Sequence, residues 1–170
     1  MCLALSQPER IDSICILDMA PVSYDSKKFD DMFSAMICMD IGSIKSVKEM
    51  KRLLDEKLGD PPLVSFLLTN VDYDEKNSKY FWRSPLEILK RHLPEIRGWP
   101  EEETSHLAPF NKPALFLHGS NSDYVSEEAK VKIRKLFPLS KFVCVEGAGH
   151  WIHVDRTKQV LGELVSFLSH

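Results

Sequence analysis

A short apolar run, Phe142-Val143-Cys144-Val145, gives way to Glu146-Gly147-Ala148-Gly149 and then presents His150-Trp151-Ile152-His153. A strand that ends in a Gly-x-Gly turn holds the next side chain firmly at a sheet edge while leaving its ring open to a reacting group. An imidazole mounted in this way suits general-base chemistry; the alternative is a turn histidine bonded to backbone. A general base needs a nucleophile, and no Gly-x-Ser-x-Gly segment, which sets a serine on a strained strand-to-helix turn, occurs in the 170 residues. His153, three places on, is expected to orient the start of the following helix through Asp155. His92, His106 and His118 share no ligand spacing, so neither a metal site nor a cofactor is expected.

The elements that must position His150 follow from hydrophobic spacing. Residues 1–7 look like a helix end stopped by Pro8, and 13–17 form a continuous apolar run of the kind a strand buried on both faces needs. That run opens into Asp18-Met19-Ala20-Pro21. Residues 26–70 turn helical, with Phe29, Met32, Phe33, Met36 and Ile37 on one stripe and Val47, Met50, Leu53 and Leu54 on another, punctuated by Gly42 and by Gly59-Asp60-Pro61-Pro62. Residues 73–84 read as a loop with a short extended piece, Pro85 as the first turn of a helix to about His92, and 97–112 as an irregular connection. Regular alternation then resumes with a strand at 113–118, a helix at 126–137 capped by Ser126, a strand at 141–145 and a closing helix at 157–168. Strands separated by helices imply parallel pairing, so the fold class is α/β.

Composition narrows the function classes. With 22 Lys+Arg against 25 Asp+Glu, the formal charge of -3 offers no basic footprint for nucleic acid. No apolar stretch approaches the ~20 residues of a membrane span. Cys2, Cys15, Cys38 and Cys144 are scattered without a C-x-x-C pair, which reads as buried thiols in a reducing, intracellular compartment.

Several segments together resemble a family. Gln7-Pro8-Glu9-Arg10, Leu17-Asp18-Met19-Ala20-Pro21-Val22, Gly119-Ser120-Asn121-Ser122, Asp123-Tyr124-Val125 and Gly147-Ala148-Gly149-His150-Trp151-Ile152-His153, in this order and spacing, are similar to the C-terminal half of an α/β-hydrolase. The likeness is to the YbfF-type esterases and their animal mitochondrial relatives, the abhydrolase-domain-containing protein eleven group, and runs over nearly the whole chain. It implies a partial α/β-hydrolase fold: three parallel strands with flanking helices, a core piece at 1–25, a helical cap at 26–108 and a C-terminal βαβα part of the core at 109–170. It also implies that Met1 falls just past the nucleophile elbow, and that a mitochondrial location, or else a cytoplasmic one, applies.

The same resemblance assigns roles. His150 would be the general base of a serine ester hydrolase acting on a small-molecule ester or acyl lipid. In many members the acid follows the strand before the histidine strand, where this chain has Ser122, with Asp123 one place along. In the YbfF type it follows the preceding strand, at Asp18; a further candidate, on the segment after the cap, aligns with Glu87. Asp18 is favoured, because a strand end positions a carboxylate better than a cap helix does. Asp18 could also simply cap its loop. Trp151, Met32 and Met36 would contact substrate, although a stripe such as Met32, Met36 and Met39 is more often ordinary core than a ligand groove. Two readings follow. The chain is the base-and-acid portion of an esterase, inactive alone, or a non-catalytic module that binds or self-associates through an exposed strand edge.

Overall fold

The computed structural model describes residues 1–24 and 27–169; Ser26, where the helical stretch is expected to open, lies outside the described residues. The strands are β1 (Ile14–Leu17), β2 (Val71–Asp74), β3 (Lys79–Trp82), β4 (Ala114–Gly119) and β5 (Ser140–Val145). The chain divides into two compact units, Met1–Ser23 with Trp99–His170, and Tyr24–Gly98.

In the first unit β1, β4 and β5 form a parallel sheet in the order β1-β4-β5, with Leu17 opposite Leu117 and Gly119 opposite Val145. Side chains alternate between its faces, as the period of a strand requires. Phe116 and Ala114 point to one face, where Phe110, Ile133 and Phe137 close a core under the helix Glu127–Leu136. Leu115, Leu117 and Val145 point to the other and meet Ile152 and Val160, the latter from the helix Thr157–Leu168. Central β4 is almost wholly buried, whereas β1 is half-buried throughout, because β1 pairs with β4 along one edge only. The continuous apolar run at 13–17 is therefore not buried on both faces within the described residues. The thiols are likewise not buried: Cys2, Cys38 and Cys144 are exposed and Cys15 is half-buried. Cys144 stands on β5, the other edge strand, where one face meets solvent.

The Ser126 cap forms as the sequence suggests, its hydroxyl accepting from Ala129 N. Residues 99–108 join the first unit, although the sequence groups them with the cap. Trp99 and Leu107 pack against the core around Phe116, Trp99 N–H donates to Ser23 Oγ at 3.0 Å, and Lys132 pairs with Glu101.

The second unit holds the helices Lys27–Ile37, Val47–Leu58, Pro61–Leu68, Leu86–Arg91 and Leu93–Arg97. Ser46 and Asp60 cap the second and third of these through Glu49 N and Leu63 N, and Gly59, at φ 63, ends the second. Residues 73–84 differ from expectation: Val71–Asp74 and Lys79–Trp82 pair as an antiparallel hairpin. Its turn lacks the glycine that usually marks one. The Asp74 carboxylate organises it instead, accepting from Lys76 N, Asn77 N and Asn77 Nδ2, while Ser78 takes φ 51.

Phe137 is fully buried and meets Phe116 edge-on at 5.6 Å. Phe137→Ala is expected to cost about 3–5 kcal/mol, measured by denaturant unfolding; a loss below ~1 kcal/mol would show that this cluster does not hold the sheet.

Candidate active site

β1 ends with Asp18 N–H donating to Leu117 O at 2.7 Å, after which Asp18 itself adopts φ 49. Left-handed backbone is uncommon outside glycine, though aspartate tolerates it better than most residues. The Asp18 carboxylate comes to rest beside the end of β4. It is 0% exposed, and Oδ1 accepts from Gly119 N at 3.1 Å while Oδ2 accepts from Ser122 Oγ at 2.5 Å. A buried charge is tolerable only when its lone pairs are engaged, and here both oxygens are.

His150 completes the set. Its Nδ1 lies 2.8 Å from Asp18 Oδ2, and its side chain keeps 39% of its surface exposed. An ionised carboxylate can only accept, so the hydrogen-bond network assigns the ring proton to Nδ1 and leaves a lone pair on Nε2. That is the tautomer a general base needs. The Tyr124 ring stacks on the imidazole, centroids 3.9 Å apart at 21°. Burial, and after it the Asp18 charge, push the Tyr124 phenol above its usual range, which keeps the stacked ring neutral.

Glycines permit the approach of the two loops. A Cβ on Gly119 would stand 2.3 Å from Gly149 O and 2.4 Å from Ala148 O, so only glycine lets β4 end against the histidine loop. The loops are then tied together by Ser120 N to Val145 O, Asn121 N to Ala148 O and Gly147 N to Ser120 Oγ. From the other side Asp155 Oδ2 accepts from Gly149 N at 2.8 Å, and Arg156 Nε donates to Glu146 O. Asp155 thus holds the turn through Gly149, while the expected orienting residue, His153, is exposed. Gly147 takes φ 69.

The structure joins Asp18 to His150. Glu87 is exposed in the first turn of the helix Leu86–Arg91 in the second unit. Trp151 is half-buried beside the base in sequence, at the N-cap of the short helix Ile152–Asp155. Met36 is 3% exposed in the core of the second unit, with half-buried Met32 packed against the same cluster. Asp123 is exposed, and its neighbour Ser122 reaches inward instead. Sequence reasoning did not find the Ser122 contact or the Tyr124 stack; both side chains lie in Ser122-Asp123-Tyr124, and only the turn after β4 brings them to Asp18 and His150.

Against known proteins, the model of the alpha/beta hydrolase fold family matches residues 1–157. The sn-1-specific diacylglycerol lipase ABHD11 of Xenopus laevis is 31% identical over 99% of this chain and 54% of its own length. Esterase YbfF of Escherichia coli is 28% identical over 99% of this chain and 62% of its own. The solved structure of a marine microorganism esterase superposes with a TM-score of 0.88 at 26% identity, covering 96% of this chain and 63% of that one. The chain therefore spans about half to two thirds of the length of these relatives.

Two expectations follow from the geometry. Gly119→Ala should cost about 3 kcal/mol, the upper end for forcing one carbon into a packed site, and should displace the His150 loop; unchanged unfolding and unchanged His150 NMR shifts would show that the loops give way freely. His118, on β4, is held below its ordinary 6.5 by burial first and by Lys130 next. Just below that value the unfolded chain then binds more protons than the folded one, so this residue makes stability rise with pH there and stay level above it. His118→Gln should flatten that part of the stability–pH curve relative to the parent, as measured by urea unfolding across the window; an unchanged slope would refute the assignment.

Proposed function

Because the chain belongs to the α/β-hydrolase fold family, we propose that these residues are the base-and-acid-bearing part of a serine ester hydrolase, acting on acyl lipids or short-chain esters in the mitochondrion or the cytoplasm. The observation that carries the reading is the buried Asp18 carboxylate held on Nδ1 of a partly exposed His150. The serine is supplied by a Gly-x-Ser-x-Gly segment outside these residues. The kinship with a diacylglycerol lipase and with an esterase supports an ester as substrate.

The division of labour follows from the hydrogen bonds. His150 Nε2 takes the proton of the serine hydroxyl as its oxygen attacks the ester carbonyl carbon, and Asp18 stabilises the imidazolium that forms. The imidazolium returns that proton to the departing alcohol oxygen as the ester C–O bond breaks, leaving an acyl-serine. Water then repeats the sequence, His150 taking its proton, and releases the carboxylic acid and the free serine. In this reading Trp151 lines the approach to the base.

The 170 residues alone should give no turnover of p-nitrophenyl esters above a His150→Ala control and no labelling by a fluorophosphonate. Joined to the upstream half that carries the elbow, in cis or in trans, they should become active. In that protein Asp18→Asn should lower kcat by about 10⁴-fold and Glu87→Gln by less than about twofold. Activity that survives Asp18→Asn and is lost in Glu87→Gln would transfer the acid role to Glu87. Stoichiometric labelling of the isolated chain would reveal a nucleophile within it, and absence of activity in the joined protein would favour a binding module acting through the open edge of β1.

A further inference from the structure

One peptide group in the turn that carries His150 is held at both ends. The Ala148 carbonyl accepts from Asn121 N at 2.9 Å, and the Gly149 N–H on the other side of the same peptide donates to Asp155 Oδ2 at 2.8 Å. A planar peptide gripped at its oxygen and at its nitrogen cannot rotate about the bonds that flank it. Gly149, the residue between that peptide and His150, has no side chain to hinder such a rotation, so the grip has to come from outside. Asp155 reaches Gly149 because the chain folds back directly after the base. Ile152, fully buried among Leu115, Leu117 and Val145, starts the short helix Ile152–Asp155, in which Asp155 N–H donates to Trp151 O at 2.9 Å. Arg156 braces the far end of the turn: Nε donates to Glu146 O, and a Cβ on Gly147 would lie 2.6 Å from its Nη2.

We propose that Asp155 is a positioning residue for the base: its carboxylate fixes the Ala148–Gly149 peptide, and through that peptide the direction from which the His150 ring meets Asp18. The proposal rests on reading His150 as base and Asp18 as its orienter. Asp18 holds the imidazole at Nδ1 alone, so the ring can still pivot about that bond unless the backbone beneath it is fixed as well. A misplacement of about 1 Å at a reacting group can cost about 10²-fold in rate, which makes the aim of Nε2 as consequential as its lone pair. A backbone N–H donating to a carboxylate is a charge-assisted bond, stronger than the neutral bond from Asn121 on the other end of the peptide.

Two readings on the 170-residue chain test this independently of esterase activity: hydrogen exchange at the Gly149 amide, and long-range ¹H–¹⁵N correlation of the labelled histidines. In the parent chain the Gly149 N–H is expected to be protected and His150 to carry its proton on Nδ1. Asp155→Ala should speed Gly149 exchange by about tenfold, the effect of losing one net hydrogen bond, and should lower the Nδ1–H fraction of His150. Asp155→Asn, which keeps an acceptor of the same shape, should restore most of both. Arg156→Leu frees only the far end of the turn and should leave both readings at the parent values. Gly149 exchange that is unchanged in Asp155→Ala overturns the proposal. So does exchange that quickens while His150 keeps the parent pattern, which is how a merely structural residue behaves. An asparagine variant that matches the alanine one has the same force, as does an Arg156→Leu variant that disturbs His150 equally, since the rigidity of the whole turn would then be the cause. Should the alanine variant fail to fold, Asp155→Leu, which fills the space without an acceptor, is read by the same criteria. Asp18→Asn separates the two levels: if it leaves His150 unchanged, the pairing of base and orienter is wrong, whereas a pattern altered in Asp18→Asn and intact in Asp155→Ala refutes Asp155 alone.

Discussion

A carboxylate with no solvent exposure has to be satisfied by the protein, and Asp18 imposes that demand on the whole first unit. Its donors are the backbone of Gly119, the hydroxyl of Ser122 and the ring of His150, three groups from the ends of two different strands. None of them can move far without stranding a buried charge. The left-handed turn at Asp18 is the local strain that accompanies this arrangement, and the bond from its own N–H to Leu117 O holds the turn in register with β4.

Parallel pairing makes the convergence possible. β1, β4 and β5 run the same way, so the segments that follow them emerge at one edge of the sheet. In open α/β sheets that edge is where ligands bind, because loops there are held by rigid strands without being buried by them. The close contact at Gly119 narrows the gap between the second and third of these loops to a distance that no side chain tolerates. Packing on both faces of the sheet, by the helices Glu127–Leu136 and Thr157–Leu168, then keeps the strand ends from drifting.

A long insertion between β1 and β4 leaves this geometry intact because its ends are tied. Ser23 Oγ accepts from Trp99 N within the first unit, and Tyr24 N donates to Arg97 O within the second. The chain thus leaves and re-enters the sheet-bearing unit at neighbouring residues, so residues 24–98 need not disturb the strand register. The second unit has its own apolar clusters around Phe33, Met36 and Leu67 and around Met50, Leu54 and Val64, and this explains why its methionines serve packing first.

The sequence by itself determined the parts with strong local physics. The apolar runs became β1, β4 and β5, Ser126 became a cap through its own Ala129 N, and the Gly-Ala-Gly turn delivered His150 at a strand end. The strand-end location of Asp18 was legible for the same reason. What only the tertiary structure decided depends on contacts between loops that lie apart along the chain. The hydroxyl of Ser122 on Asp18, the ring of Tyr124 on His150 and the steric need for Gly119 leave no periodic trace, because each is set by two loops meeting rather than by spacing along one. The β2–β3 hairpin was hidden differently: Asp74 replaces the glycine that turn chemistry leads one to look for. Cys15 and Cys144 escape full burial because an apolar run specifies a strand, while the position of that strand at the edge or centre of a sheet is fixed only when the neighbouring strands are in place.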